Sequence, residues 1–112
     1  MSRREYLRYK ELTRRLVYSR LAFFNQHYQL AWRRVAIRDQ VSRWGSCSSR
    51  KNLNFNYRLG FLPLELVDYV VVHELCHLVE MNHGAGFWAL VAEAIPDWRE
   101  RRLALKGYKF QR

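Results

Sequence analysis

The chain has 112 residues, of which 49% are hydrophobic and 27% are charged. This length fits a single domain with one modest core, and the composition excludes a disordered or a collagen-like chain. No apolar run approaches the ~20 residues of a membrane span, and the first residues lack the apolar stretch of a signal peptide. We therefore expect a cytoplasmic protein that does not associate with membranes. Its two cysteines, Cys47 and Cys76, are too few for a disulfide framework.

The charge of the chain is strongly positive and uneven. Twenty basic and ten acidic residues give a formal net charge of +10. Residues 1–38 contain ten of the basic residues and only two of the acidic ones. Such a basic region is typical of proteins that bind DNA, RNA or another polyanion. A solvated helix face gives the same composition, so charge alone leaves both interpretations open.

The first third of the chain predicts one long helix followed by a short strand. Residues 3–29 contain neither glycine nor proline, and their apolar residues recur at steps of three and four. That spacing places one apolar stripe along a helix, which fills the basic N-terminal region 1–32. Val35 and Ile37 then fall on one face of a strand at 34–38.

The middle of the chain predicts the rest of a small sheet, within residues 33–60. Apolar residues alternate with Asn and Arg over 52–59, which indicates a strand with one buried face. We expect this strand to pair with a strand at 41–47 as a hairpin and to end at Gly60.

The last part of the chain, 61–112, predicts helices. The first, at about 64–81, is apolar nearly all round, which is typical of a helix buried at the centre of its domain. Two shorter helices follow at about 86–94 and 97–106. The order α-β-β-β-α-α-α predicts an α+β fold, in a single domain that spans residues 1–112.

The central helix contains His73-Glu74-Leu75-Cys76-His77, which is the pattern H-E-x-x-H. Histidines four residues apart on a helix point the same way, so both imidazoles can bind one zinc ion. Glu74 is rotated by about 100° from His73, and it can take a proton from a zinc-bound water. Three fixed residues also occur by chance. Two histidines and a glutamate in so apolar a helix, however, are costly without a partner.

A catalytic zinc ion needs a third protein ligand and one open coordination position. His83 lies six residues after His77. Its neighbours Asn82 and Gly84 tolerate the backbone turn that brings it back toward the helix. We expect His83 to be the third ligand, and a carboxylate of the following helix, Glu93, is the alternative.

Four segments in order carry further motifs: Ser-Arg-Trp-Gly-Ser-Cys-Ser-Ser at 42–49, Asn-Leu-Asn-Phe-Asn at 52–56, Val-Val-Val-His-Glu-Leu-Cys-His at 70–77 and Asn-His-Gly-Ala-Gly-Phe-Trp at 82–88. Together they resemble the YgjP-like metallopeptidase family, relatives of the SprT-like proteases. The resemblance implies a minimal zincin fold, with a small sheet packed on the H-E-x-x-H helix. It also implies zinc bound by His73, His77 and His83, with Glu74 as general base. The last segment also resembles the segment that carries the third metal ligand in SprT-like enzymes, which degrade proteins crosslinked to DNA.

Trp44, Gly45 and Ser46 are candidate substrate-binding residues. In zincins an edge strand above the metal pairs with an extended substrate, and a glycine lets another backbone approach closely. The alternative is a hairpin strand with a core tryptophan and a bulge. Cys47, the next residue, is either a fourth metal ligand or, as we expect, a small packed side chain.

Hydrolysis also needs a group that stabilises the developing oxyanion. The candidates follow the metal-binding helix in sequence: Arg99, Arg101, Arg102 and Tyr108. Alternatively, these residues belong to a basic C-terminal helix that only faces solvent. The sequence does not indicate which of them would stabilise the oxyanion.

These features predict a zinc metallopeptidase that acts on nucleic-acid-associated proteins and binds DNA or RNA through its basic N-terminal half. Two alternatives stay open. The first is a zinc-dependent nucleotide pyrophosphohydrolase, an activity proposed within the resembled family, although the sequence offers no carboxylate cluster for Mg²⁺. The second is a nucleic-acid-binding module with a structural zinc ion, which Cys47 would have to close as fourth ligand.

Overall fold

The computed structural model describes residues 1–110, within which the chain forms four α-helices and a three-stranded sheet. Residues 111 and 112, the last two of the predicted domain, lie outside the described range. The elements are α1 (Arg3–Tyr28), β1 (Arg34–Arg38), β2 (Gly45–Cys47), β3 (Asn52–Asn56), a 3₁₀ helix (Tyr57–Phe61), α2 (Leu64–Cys76), α3 (Ala85–Ala94) and α4 (Trp98–Lys106). The predicted α+β class and the order of helices and strands are confirmed.

Helix α1 begins at a reciprocal cap. The Ser2 hydroxyl accepts a hydrogen bond from the Glu5 amide at 3.1 Å, and the Glu5 carboxylate accepts one from the Ser2 amide at 3.2 Å. The helix ends at Gln29, whose φ of 53° is left-handed. Its buried face consists of Thr13, Val17, Leu21 and Phe24. No helix within residues 1–110 has both the length and the apolar character needed to cross a membrane.

The sheet has the order β1-β3-β2, with β1 parallel and β2 antiparallel to β3. The predicted hairpin between β2 and β3 is therefore confirmed, and β2 lies at an edge of the sheet. β2 is shorter than the predicted 41–47. The Asn56 side-chain amide donates hydrogen bonds to the carbonyls of Gln40 and Arg43. These carbonyls belong to the preceding segment, which forms a loop instead of pairing with β3.

The prediction of a third strand over 52–59 is wrong after Asn56. The Asn56 side-chain oxygen accepts a hydrogen bond from the Arg58 amide at 3.0 Å, which caps the 3₁₀ helix. Tyr57 and Leu59 are nevertheless buried. The alternation of apolar residues therefore continues past the strand, because both side chains still face the core.

The prediction that the central helix reaches residue 81 is also wrong, because α2 ends at Cys76 and His77 is its C-cap. The Nδ1 atom of His77 lies 2.9 Å from the Glu80 carbonyl oxygen, which fixes the turn after the helix. The helix is buried as predicted, and its fully buried side chains are Val67, Val71, Val72, Leu75 and Cys76. Because α2 ends early, the chain that follows can turn back toward the last turn of α2.

Candidate metal centre

Three histidines meet at the C-terminal end of α2. His73 lies in the last turn of the helix, His77 is its cap, and His83 comes from the loop that follows. One ring nitrogen of each histidine lies within 4.8 Å of the other two, and the Nε2 atoms of His77 and His83 are 2.8 Å apart. Three convergent imidazoles form a donor set that fits a catalytic divalent metal ion with one open position.

Packing and a hydrogen bond orient these rings. Because Nδ1 of His77 donates to the Glu80 carbonyl at 2.9 Å, its Nε2 atom faces the cluster with a free lone pair. Phe87 stacks on His77 with ring centroids 4.4 Å apart. Trp88 stacks on His83 at 5.8 Å. Phe87 also meets the His73 ring edge to face at 5.1 Å, so helix α3, which supplies both aromatic residues, supports all three candidate ligands.

His77 and His83 are held in the form that binds metal. Burial is the main cause that lowers the pKa of His77, and the nearby His73 lowers it further. Burial followed by the proximity of His73 and His77 lowers the pKa of His83. Both rings are therefore neutral at neutral pH, as metal coordination requires.

Glu74 lies beside the histidine cluster but is not a member of it. Its side chain is buried, with 4% of the residue exposed, and its Oε2 atom is 3.1 Å from Nδ1 of His73. On its other side is Gly45 of β2. A β-carbon built on this glycine would lie 3.1 Å from both Cγ and Oε2 of Glu74. A glycine at position 45 therefore allows the Glu74 side chain to lie close to the backbone of β2.

A cleft of about 380 Å³ opens over His73 and Glu74. Trp44 and Gly45 line it, whereas Ser46 does not and instead accepts a hydrogen bond from the Asn54 amide at 3.3 Å. The structure thus brings two of the three predicted substrate-binding residues to the site.

The C-terminal part of the chain forms the other wall of the cleft. Arg102 and Tyr108 line it, but Arg99 lies over the Trp98 ring and Arg101 pairs with Asp97 at 3.0 Å. Of the four candidate oxyanion stabilisers, two therefore lie in the cleft.

Sequence reasoning missed five residues that line this cleft: Tyr69, Val70, Leu105, Lys106 and Phe110. Tyr69 lines it, and its position four residues before His73 on the same helix face was an available signal. Phe110 packs against Trp44 with ring centroids 4.5 Å apart. No sequence pattern indicated this contact, because it depends on how the end of the chain folds back over β2.

The alternative ligands lie elsewhere. The Glu93 carboxylate is 2.9 Å from Nε2 of His27, and it is not part of the histidine cluster. The Cys47 thiol also lies outside this cluster, and burial raises its pKa to about 11. Cys76 is fully buried in α2, and burial raises its pKa to about 12. Neither thiol is among the side chains that converge with the three histidines.

A buried helix with a three-histidine cluster, an adjacent buried glutamate and an open cleft is the arrangement of a metallopeptidase. The model of the YgjP-like metallopeptidase domain matches residues 3–108, so the chain belongs to the YgjP-like metallopeptidase family. The resemblance stated from the sequence motifs and the predicted metallohydrolase class are both confirmed.

Two solved structures are similar in fold. The metallopeptidase zymogen of Pyrococcus abyssi abylysin has a TM-score of 0.71 and 21% identity, covering 85% of this chain and 99% of its own. The metallopeptidase zymogen of Methanocaldococcus jannaschii jannalysin has a TM-score of 0.65 and 22% identity, covering 85% and 94%. A search of curated proteins gave no significant match.

Proposed function

We propose that the chain is a zinc-dependent peptidase, with His73, His77 and His83 as metal ligands and Glu74 as the general base. The main support is the convergence of three imidazoles beside the buried Glu74 carboxylate, with His73 and Glu74 lining an open cleft. Bound zinc would polarise the carbonyl of the scissile peptide and activate a water molecule.

Glu74 moves the protons of this reaction. It is not needed as a ligand, so its carboxylate is free to accept a proton from the attacking water and to deliver it to the leaving amine. Contact with His73 on one side and with Gly45 on the other keeps the carboxylate beside the metal centre. A fixed base of this kind supplies its effect without reorganisation during the reaction.

An extended peptide binds along β2. This strand lies at the edge of the sheet, and its outer side offers backbone donors and acceptors to a substrate strand. Trp44, immediately before β2, forms a side wall of the cleft and limits which side chains fit next to the scissile bond.

Arg102 and Tyr69 stabilise the negative charge that develops on the substrate oxygen. The Arg102 guanidinium lies 5.5 Å above the Trp88 ring, which holds it at the cleft. Within the described residues it has no carboxylate at ion-pair distance, so its charge is available to substrate. Burial raises the pKa of Tyr69 to about 12, which keeps its hydroxyl protonated as a hydrogen-bond donor.

The proposed substrates are proteins associated with nucleic acid. The support is the net charge of +10, most of which lies in the N-terminal third of the chain. The protein would then be located on DNA or RNA by its charge while the cleft acts on neighbouring polypeptides.

A nucleotide pyrophosphohydrolase is the second candidate function. Arg102 and Lys106 both line the cleft and provide cationic groups for phosphates. Among residues 1–110, however, the clustered metal-ligating side chains are histidines, whereas Mg²⁺-dependent phosphoryl transfer uses carboxylates.

One experiment distinguishes these functions. Protein loaded with one equivalent of zinc is incubated with an unfolded basic protein and, separately, with nucleoside triphosphates. We expect peptide fragments by mass spectrometry and unchanged triphosphates. Cleavage of triphosphates without any peptide product would overturn the proposed peptidase and favour the second candidate.

A further inference from the structure

A second groove, of about 840 Å³, lies between α1 and the start of β1. Tyr18 and Gln26 of α1 form part of one wall, and Trp32, Arg33 and Arg34 form part of the other. The groove shares no lining residue with the catalytic cleft, and no acidic residue lines it. Leu21, Ala22 and Val35 also line it, so the groove combines aliphatic, aromatic, amide and cationic side chains.

The fold concentrates unpaired positive charge at this groove. The Arg33 amide donates a hydrogen bond to the Lys51 carbonyl at 2.8 Å, and Arg34 is in register with Asn52 of the parallel strand. Parallel pairing thus brings Arg50 and Lys51 to the end of the sheet where Arg33 and Arg34 lie.

These four cations are exposed, and within residues 1–110 none of them lies at ion-pair distance from a carboxylate. Three other arginines of the N-terminal region are partly neutralised. Arg14 and Arg15 both pair with Glu11, and Arg20 pairs with Asp68 at 2.7 Å. Unpaired positive charge in the described residues therefore forms one group at the groove and a second at the start of α1, where Arg3, Arg4, Arg8 and Lys10 lie.

Aromatic side chains in the groove indicate what kind of polyanion fits. Tyr18 is 48% exposed although it is aromatic, and the partly buried Trp32 packs against the core. A flat ring in a concave basic surface offers a platform on which an unpaired base can stack. The bases of a duplex are already stacked on one another, so such a platform favours a single strand.

We propose that this groove binds single-stranded nucleic acid, with phosphates held by Arg33 and Arg34 and with bases stacked on Tyr18 and Trp32. The inference deepens the nucleic-acid part of the proposed function, on which it rests. It gives the molecule two separate sites, one that holds the strand and one that cleaves polypeptide.

The test measures strand binding by fluorescence anisotropy, with a labelled 12-nucleotide single strand and a duplex of the same length. The variant Arg33→Glu/Arg34→Glu is compared with Arg3→Glu/Arg4→Glu, which changes the net charge equally. Arg3 and Arg4 lie in the first turn of α1, about 22 Å of helix from Tyr18. Thermal melting checks that both variants remain folded.

We expect the wild-type protein to prefer the single strand over the duplex. The groove variant should bind the strand at least tenfold more weakly than the control variant. Its slope of log affinity against log salt should fall in magnitude by about 1.4, because each lost phosphate contact removes ~0.7. Tyr18→Ala should weaken binding by roughly tenfold, whereas Tyr18→Phe should retain it.

Equal losses in the two double variants, or equal affinity for duplex and single strand, would overturn the proposal. Binding is measured without turnover, so this result is independent of whether the protein is a peptidase. Cleavage of a short peptide by the groove variant should match that of the wild-type protein. A failure of peptide cleavage in every variant would count against the proposed peptidase alone.

Discussion

Replacing Gly45 with alanine tests how the structure positions the general base. The added β-carbon would lie 3.1 Å from Cγ and Oε2 of Glu74 and 3.2 Å from the Asn54 carbonyl oxygen. Non-bonded heavy atoms of this kind prefer about 3.5 Å or more. The Asn54 carbonyl belongs to β3 and is held by the sheet, so the Glu74 carboxylate is the group that moves, by roughly 0.4 Å.

Such a shift should lower the rate without removing the metal. A misplacement of 1 Å costs about 10²-fold in rate, so we expect kcat of Gly45→Ala to fall by about tenfold. The free energy of unfolding should fall by about 1 kcal/mol because the site is overpacked. Zinc affinity should stay unchanged, because the substitution does not touch the three histidines.

The assay combines turnover of a quenched fluorescent peptide with zinc affinity from competition against a chelator. Ser46→Ala is the matched control, because Ser46 lies on the same strand and does not line the cleft. The control should retain kcat. Full kcat in Gly45→Ala would refute the view that β2 holds the carboxylate in its working position.

Three further predictions follow from the same structure. In Gly60→Ala the new β-carbon would lie 2.5 Å from the Thr13 hydroxyl oxygen, which must give up its buried hydrogen bond. Urea denaturation should therefore show a loss of about 1–3 kcal/mol, and unchanged stability would contradict this. Because the pKa of Cys47 is raised to about 11, its thiol is protonated at pH 7. Alkylation of Cys47 by iodoacetamide, followed by mass spectrometry, should be slow at pH 7 and fast only near pH 11. Rapid labelling of Cys47 at pH 7 would contradict the burial of its thiol. His83→Ala should weaken zinc binding far more than Glu93→Ala in a calorimetric titration, whereas the reverse order would make Glu93 the third ligand.

Hydrophobic periodicity predicted where most helices and strands lie, because each buries one defined face. It failed at Asn56 and at His77, where the predicted strand and the predicted central helix end early. At both positions a side chain bonds to a nearby main-chain group, the Arg58 amide in one case and the Glu80 carbonyl in the other. Such local bonds compete with regular structure and leave the apolar pattern unchanged.

The histidine cluster was accessible from the sequence because its geometry is local. The spacing of His73 and His77 follows from the helix repeat, and His83 is close enough in sequence to return after one turn. Arg102 and Phe110 reach the cleft only through the packing of α4 and the last residues of the described chain against α2 and β2. Those contacts are long-range, and no spacing rule specifies them.

The central claim is that Glu74 is the base at a zinc centre held by three histidines. The most direct measurement compares kcat of the wild-type protein and Glu74→Gln on an unfolded protein substrate at one equivalent of bound zinc. Glutamine preserves the shape of the side chain but accepts no proton, so we predict equal zinc content and a kcat lower by about 10²- to 10⁴-fold. A kcat within a few-fold of wild type at equal zinc content would contradict the claim and assign the base to another group.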